Sequence, residues 1–127
     1  MIVGIGNDIV EIERIKMASS RTKTFLDKLL TCVESSRVIK DSKPNMESVA
    51  GIFAAKEAVS KALGTGFVTF GLKDIEVLKD EKGKPSVKLY GGAERIAKEM
   101  GITHIHVSIS HSKTYATAIA IAEKREG

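Results

Sequence analysis

One predicted helix in the middle of the chain limits the possible folds more than any other feature. Residues 47–63 have the periodicity of an α-helix, and Gly64 supplies a C-terminal stop. The alanines of this segment predict close packing around the helix. At about 100° per residue, one apolar face is formed by Ile52, Ala55, Val59, Ala62 and Leu63.

The residues before this helix predict a strand followed by helices. Residues 2–10 are rich in β-branched side chains, which is typical of a strand. Residues 11–40 have helical character, and we expect a break between two helices at Ser19 or Ser20. Residues 41–45 are polar and predict a loop.

The residues after the central helix predict mainly strands, which are expected at 73–79, 86–90, 103–110 and 114–122. A further helix opens at Gly91 and closes at Gly101. Because the strands follow one another as hairpins, the order predicts an α+β fold with a mostly antiparallel sheet packed against helices. The length of 127 residues fits one domain, residues 1–127.

Charge and composition argue against a dedicated nucleic-acid binder. The net charge is only +4, and aromatic residues, which would stack on bases, make up 5% of the chain. The basic charge is nevertheless concentrated, because residues 14–43 hold eight basic and three acidic residues, a net charge of +5. This basic segment is either a solvated helical face or a docking surface for an acidic macromolecule or a phosphorylated ligand.

Hydropathy and cysteine content bear on the compartment. No run of 18 apolar residues occurs, so we expect no membrane span. The single cysteine, Cys32, excludes an internal disulfide and any CxxC metal or redox site. We expect Cys32 to lie in a packed segment, and its free thiol suits a reducing, cytoplasmic location.

Asp8 is a carboxylate within an otherwise apolar predicted strand. A charge among Val3, Ile5, Ile9 and Val10 is costly to bury unless it is paired or binds a metal ion. The alternative is that Asp8 stands at the end of the strand and caps the next helix.

Glu57 and Lys61 lie four residues apart, on one side of the central helix. One interpretation is an exposed ion pair that stabilises the helix by about 0.3–0.5 kcal/mol. The other is that Glu57 points into a crevice, because the alanines around it predict close packing.

Residues 106–112 alternate between apolar and polar side chains. One face of the predicted strand carries only His106, Ser108 and Ser110. Such a face is either a half-exposed strand surface or one wall of a pocket that hydrogen-bonds phosphate or a nucleoside.

These features occur together with short motifs along nearly the whole chain. The motifs are residues 1–12 (MIVGIGNDIVEI), 53–66 (FAAKEAVSKALGTG), 74–77 (DIEV), 83–85 (GKP) and 106–111 (HVSISH). In their order and spacing the chain resembles the holo-acyl-carrier-protein synthases, the small phosphopantetheinyl transferases. That family transfers 4′-phosphopantetheine from coenzyme A to a serine of apo acyl carrier protein and releases adenosine 3′,5′-bisphosphate.

The resemblance implies a role for each candidate residue. Asp8 and Glu57 would hold Mg²⁺ and, with Lys61, form the catalytic group. The residues that would contact coenzyme A are Lys61, Gly64, His106, Ser108 and His111. Arg14 and Arg21 would dock the acidic acyl carrier protein, which gives the basic segment a partner. The resemblance also implies a homotrimer with active sites shared between protomers.

Two departures from the family pattern concern the coenzyme phosphate. The family commonly has arginine where this chain has Ile52, and basic residues where it has Asn45 and Met46. Lys40 and Lys43 are candidate substitutes. The general base is not identified by the motifs. A non-catalytic module that binds the carrier protein or a nucleotide, and a small metal-dependent phosphohydrolase, are the alternative functions.

Overall fold

The computed structural model describes residues 1–126. The elements within them are β1 (Ile2–Glu11), α1 (Ile12–Arg21), α2 (Phe25–Leu29), α3 (Cys32–Val38), β2 (Ile39–Lys40), β3 (Lys43–Pro44), α4 (Met46–Leu63), β4 (Ile75–Lys79), β5 (Pro85–Leu89), α5 (Gly91–Glu99), β6 (His104–His111) and β7 (Tyr115–Glu123). None of the helices in this described part is long and apolar enough to cross a membrane.

The strand pairs are antiparallel, which confirms the predicted α+β architecture. The main sheet has the order β1-β7-β6, and β2-β3 and β4-β5 form two separate hairpins. Because strand side chains alternate between faces, this sheet has an inner face toward α4 and an outer face away from it. The inner face is buried where β7 contributes Ala116, Ala118, Ala120 and Ala122.

Helix α4 is the predicted central helix, and it lies directly on the inner face of the sheet. The close approach requires glycine on β1, because a Cβ at Gly4 or Gly6 would collide with the backbone of Ala62 or Ala58. The predicted apolar face of α4 is buried throughout, and Gly64 ends the helix in the left-handed conformation, with φ of 83°. The small residues therefore hold β1 against α4.

The helical region before α4 differs from the sequence prediction in two places. Helix α1 continues through Ser19 and Ser20, whose hydroxyls donate to carbonyls three residues back, and the predicted break between two helices lies at residues 22–24 instead. Residues 39–40 form strand β2 rather than helix. Asp41 and Ser42, with φ of 51° and 62°, make the tight turn to β3.

Cys32 begins α3 and is exposed, so its predicted place in a packed segment is also wrong. The side chain that α3 buries there is instead Glu34, which closes a capping box with Thr31.

Candidate functional site

Asp8 and Lys61 meet where β1 crosses α4. Asp8 lies on the inner face of the sheet, opposite Ala118, and its side chain is 16% exposed. The Lys61 Nζ lies 3.3 Å from Asp8 Oδ1 and donates to the Asn7 carbonyl at 3.0 Å. Asp8 is therefore a paired carboxylate within a strand. The alternative that it caps a helix is wrong, because Glu11 occupies the N-cap of α1.

Glu57 completes a charged cluster with these two side chains. Burial raises the pKa of the Glu57 carboxyl, the negative charge of Asp8 raises it further, and Lys61 opposes both effects. Glu57 is half-buried. These observations favour the predicted crevice over an exposed helix-surface pair, and within residues 1–126 the salt bridge of Lys61 goes to Asp8.

The donor set of this cluster suits a hard divalent cation. Within residues 1–126 no group of three or more His, Cys, Asp or Glu side chains could hold a metal ion. Two carboxylates from different elements are nevertheless sufficient for Mg²⁺, which keeps water and substrate phosphate oxygens as its other ligands. A cation there would also relieve the repulsion between Asp8 and Glu57.

The turn after α4 continues from this cluster. Gly64 and Gly66 both have positive φ, and apart from the adjacent residues no described atom lies within 4 Å of a Cβ built on either. The backbone of this turn is thus open to a ligand, three residues beyond Lys61.

The structure does not bring His106 and Ser108 to the cluster. They lie on the outer face of the sheet, whereas Asp8 lies on the inner face, in one cross-strand row with Ala118 and Ile109. The His106 Nε2 lies 2.9 Å from Glu123 Oε1, and this hydrogen bond lowers the Glu123 pKa. Within one chain, these predicted coenzyme contacts and Asp8 are on opposite sides of a sheet.

Because strand side chains alternate between faces, His111 lies on the inner face of the sheet, opposite to His106. It follows Ile109 on the inner face, and its Nδ1 lies 3.1 Å from Glu47 Oε2 at the start of α4. Beside it is a cleft of about 210 Å³, whose lining includes Ile52, Arg37 and Lys79.

The cleft bears on the two departures from the family pattern. The cations next to Ile52 are Arg37 and Lys79. The Lys40 Nζ donates to the Ser36 carbonyl at 2.9 Å, while Lys43 is exposed. Arg37 was predicted only as part of the basic segment, and neither it nor Lys79 was a candidate substitute at Ile52, because they lie on α3 and β4, far from Ile52 in the sequence.

Arg14 and Arg21 lie on one side of α1, since seven residues correspond to almost two helical turns. Both are exposed. The Arg14 Nε lies 3.5 Å from Glu11 Oε1, and the Arg14 side chain is 78% exposed. The two arginines are therefore available to a partner on the same surface.

The structure also contains a buried ion pair that sequence analysis missed. Lys56 and Glu34 are both fully buried, and their Nζ and Oε1 atoms are 2.8 Å apart. Burial lowers the Lys56 pKa, while Glu34 opposes that shift. The available signal was that Lys56 lies one helical turn from the apolar residues Ile52, Phe53 and Val59.

Comparisons with known proteins agree on one family. The model of the 4′-phosphopantetheinyl transferase superfamily matches residues 4–120. A holo-[acyl-carrier-protein] synthase of Clostridium novyi is 53% identical over 123 residues, covering 97% of this chain and 88% of that protein.

Solved structures give the same result. The holo-ACP-synthase of Plasmodium yoelii has a TM-score of 0.87 and 37% identity, covering 99% of this chain and 98% of that one. The Helicobacter pylori holo-[acyl-carrier-protein] synthase in complex with coenzyme A has a TM-score of 0.82 and 35% identity, covering 94% of this chain and 99% of that one. The chain therefore belongs to the holo-acyl-carrier-protein synthase family and is a phosphopantetheinyl transferase enzyme.

Proposed function

We propose that this enzyme transfers 4′-phosphopantetheine from coenzyme A to a serine of apo acyl carrier protein and releases adenosine 3′,5′-bisphosphate. The observation that carries the proposal is the cluster of Asp8, Glu57 and Lys61, which joins two carboxylates and one ammonium at the β1–α4 crossing. The Helicobacter pylori relative, solved with coenzyme A, supports the choice of donor substrate.

In this proposal, Asp8 and Glu57 hold a Mg²⁺ ion. When bound, the ion would neutralise the negative charge of the coenzyme A pyrophosphate. That charge must be offset before a hydroxyl attacks phosphorus. Lys61 binds a phosphate oxygen and stabilises the negative charge that develops during transfer. Gly64 has no side chain, so the backbone of the turn after α4 can approach the ligand closely.

A second protomer supplies the remaining coenzyme contacts in this proposal. His106 and Ser108 project from the outer face, away from Asp8 of their own chain. The same face exposes large apolar side chains, with Ile5 and Ile9 each 63% exposed and Ile119 39% exposed. An exposed apolar face of this kind favours contact with another subunit. The proposed assembly is a homotrimer in which each active site lies between two protomers.

The cleft beside Ile52 is the proposed site of a coenzyme phosphate. Arg37 and Lys79 supply positive charge there, and His111 adds a ring nitrogen. Arginine suits this role because its planar guanidinium forms paired hydrogen bonds with phosphate oxygens. One Arg37 amino group already donates to the Val77 carbonyl at 3.0 Å, which holds the side chain against the cleft wall.

The acidic carrier docks on α1 in this proposal. Arg14 and Arg21 are exposed on one side of that helix, within the basic segment 14–43. Complementary charge steers association and fixes the orientation of the partner. The cytoplasmic location stays a prediction from the sequence.

One experiment separates this function from the two alternatives. Apo acyl carrier protein, coenzyme A and Mg²⁺ are incubated with the enzyme, and the carrier is examined by intact-mass spectrometry. Transfer predicts a mass gain equal to phosphopantetheine that EDTA abolishes. Phosphate release without carrier modification would instead identify a phosphohydrolase, and binding without turnover would identify a non-catalytic module.

A further inference from the structure

The buried ion pair of Lys56 and Glu34 joins four elements of the fold. The Lys56 Nζ also donates to the Leu29 carbonyl at the end of α2. Glu34 Oε1 accepts from the Thr31 backbone N–H at 2.9 Å, and Oε2 accepts from the Val77 N–H of β4 at 2.7 Å. The pair therefore fixes α4 to α2, α3 and β4 through directional hydrogen bonds.

Stability alone does not explain this arrangement. Burying two charges carries a desolvation cost that their attraction only partly offsets, and apolar residues of similar volume are often as stabilising. Both side chains are 0% exposed. They therefore do not touch substrate, and any influence on the reaction is exerted through the elements that they hold.

The elements joined by the pair carry the proposed catalytic cluster and lie next to the proposed docking surface for the carrier. Lys56 directly precedes Glu57 on α4, and the sheet holds the opposite side of that helix at Gly4 and Gly6. Residues 12–29, which form α1 and α2, are here named the basic arm because they include Arg14 and Arg21. The Ile12 backbone N–H donates to the Thr114 carbonyl at 2.9 Å, and the other contacts of the basic arm with the core are largely apolar, through residues such as Ile15. Such contacts have little directionality, since apolar surfaces can slide.

We propose that Lys56 and Glu34 are a positioning pair, which sets the basic arm relative to Asp8 and Glu57 and so brings the carrier's serine to the reacting phosphorus. This inference rests on the proposed function. A misplacement of about 1 Å is sufficient to lower the rate of a two-substrate reaction about 100-fold. The proposed coenzyme contacts lie outside the basic arm, and Arg37 keeps its own hydrogen bond to the Val77 carbonyl, so loss of the pair affects the two substrates differently.

The test uses the double variant Lys56→Met/Glu34→Gln, which removes both charges and keeps similar volumes. The matched control is Lys98→Met/Glu94→Gln, which removes an exposed pair on α5. Folding is checked by circular dichroism and thermal unfolding. Coenzyme A affinity is measured by calorimetry, and KM for the carrier and kcat are measured by carrier mass gain.

We expect the double variant to fold and to keep coenzyme affinity within about twofold, while kcat/KM for the carrier falls at least about tenfold. The control should match the parent enzyme. Unchanged carrier kinetics, or an equal loss of coenzyme affinity, would overturn the inference. If the double variant does not fold, the double variant Lys56→Gln/Glu34→Gln, which leaves no unpaired buried charge and keeps hydrogen-bonding groups, decides by the same two measurements. A parent enzyme without transfer activity contradicts the proposed function instead, whatever the variants do.

Discussion

Lys61 reaches from α4 to β1, where its Nζ lies 3.3 Å from Oδ1 of Asp8. The Lys61 side chain is 52% exposed and the Asp8 side chain only 16%, so the ammonium stands at the solvent edge of the carboxylate. Together with Glu57, the cluster carries two negative charges and one positive charge when both carboxyls are ionised. It therefore has groups suited both to a cation and to a phosphate.

The carboxamide variants Asp8→Asn and Glu57→Gln should each lower phosphopantetheine transfer by at least about 100-fold. Substituting a residue that hydrogen-bonds to a metal ligand typically lowers metal affinity or activity about 10–100-fold, and substituting a ligand itself should lower it no less. Neither change removes apolar packing, so circular dichroism should be unchanged. The control is Glu81→Gln, an exposed carboxylate in the β4–β5 loop. Near-parental transfer by either site variant would contradict the metal role.

The metal-free Glu57 carboxyl should titrate above the ordinary glutamate pKa of 4.5 in a ¹³C NMR titration. In Asp8→Asn its pKa should fall but stay raised, because burial is the larger cause and remains. The folded protein then binds more protons than the unfolded chain between these two pKa values. The contribution of Glu57 to stability is therefore present below the ordinary pKa and lost as pH rises through the raised one. A Glu57 titration that is unaffected by Asp8→Asn would show that the two carboxyls do not interact.

Reversing the charge on α1 should weaken binding of the carrier and leave binding of coenzyme A unchanged. Arg14→Glu and Arg21→Glu should each raise KM for the carrier about tenfold, with little change in KM for coenzyme A, and the effect should shrink at high salt. Arg95→Glu on α5 is the control, since it makes the same charge change at another exposed site. Equal effects on both substrates would remove the case for this docking surface.

The sequence predicted the fold and the cluster where local pattern determines them. The period of α4, its glycine stop and the alternation in β6 are local, and the motif around Glu57 lies on one helix. The sequence could not show contacts between residues that are far apart along the chain. The burial of Glu34 against Lys56, and Arg37 beside Ile52, depend on how α3 packs against α4 and β4. The sequence also could not predict which side chains share a face of the sheet. That His106 and Asp8 lie on opposite faces follows from the register of β1 and β6 on β7, which only the structure gives.

Gly6→Ala should destabilise the fold, because the added methyl would collide with the backbone of α4 at Ala58. Overpacking of this kind typically costs about 1–3 kcal/mol. The measurement is the free energy of unfolding from urea denaturation. Gly71→Ala is the control, because a Cβ there meets no described atom within 4 Å and its φ is −103°. Equal stability of the two variants would show that β1 and α4 can separate without cost.

A shared active site predicts complementation between two inactive variants. Asp8→Asn lacks a residue of the inner face, and His106→Ala lacks a residue of the outer face. Each should be strongly impaired alone, but after equal mixing an intact Asp8 meets an intact His106 at about a quarter of all sites, which is one site in each mixed trimer. Subunits are mixed after mild denaturation, and mixed trimers are verified by native mass spectrometry before the rate of carrier mass gain is measured.

The control mixture combines Asp8→Asn with Glu57→Gln. Both residues belong to the same β1–α4 cluster, so every mixed site lacks one of the two carboxylates and activity should not return. Recovery in the first mixture and none in the control requires that Asp8 and His106 act from different protomers. An inactive first mixture, with mixed trimers verified, would mean that one chain completes the site, and the opposite faces of the sheet would then exclude His106 from it.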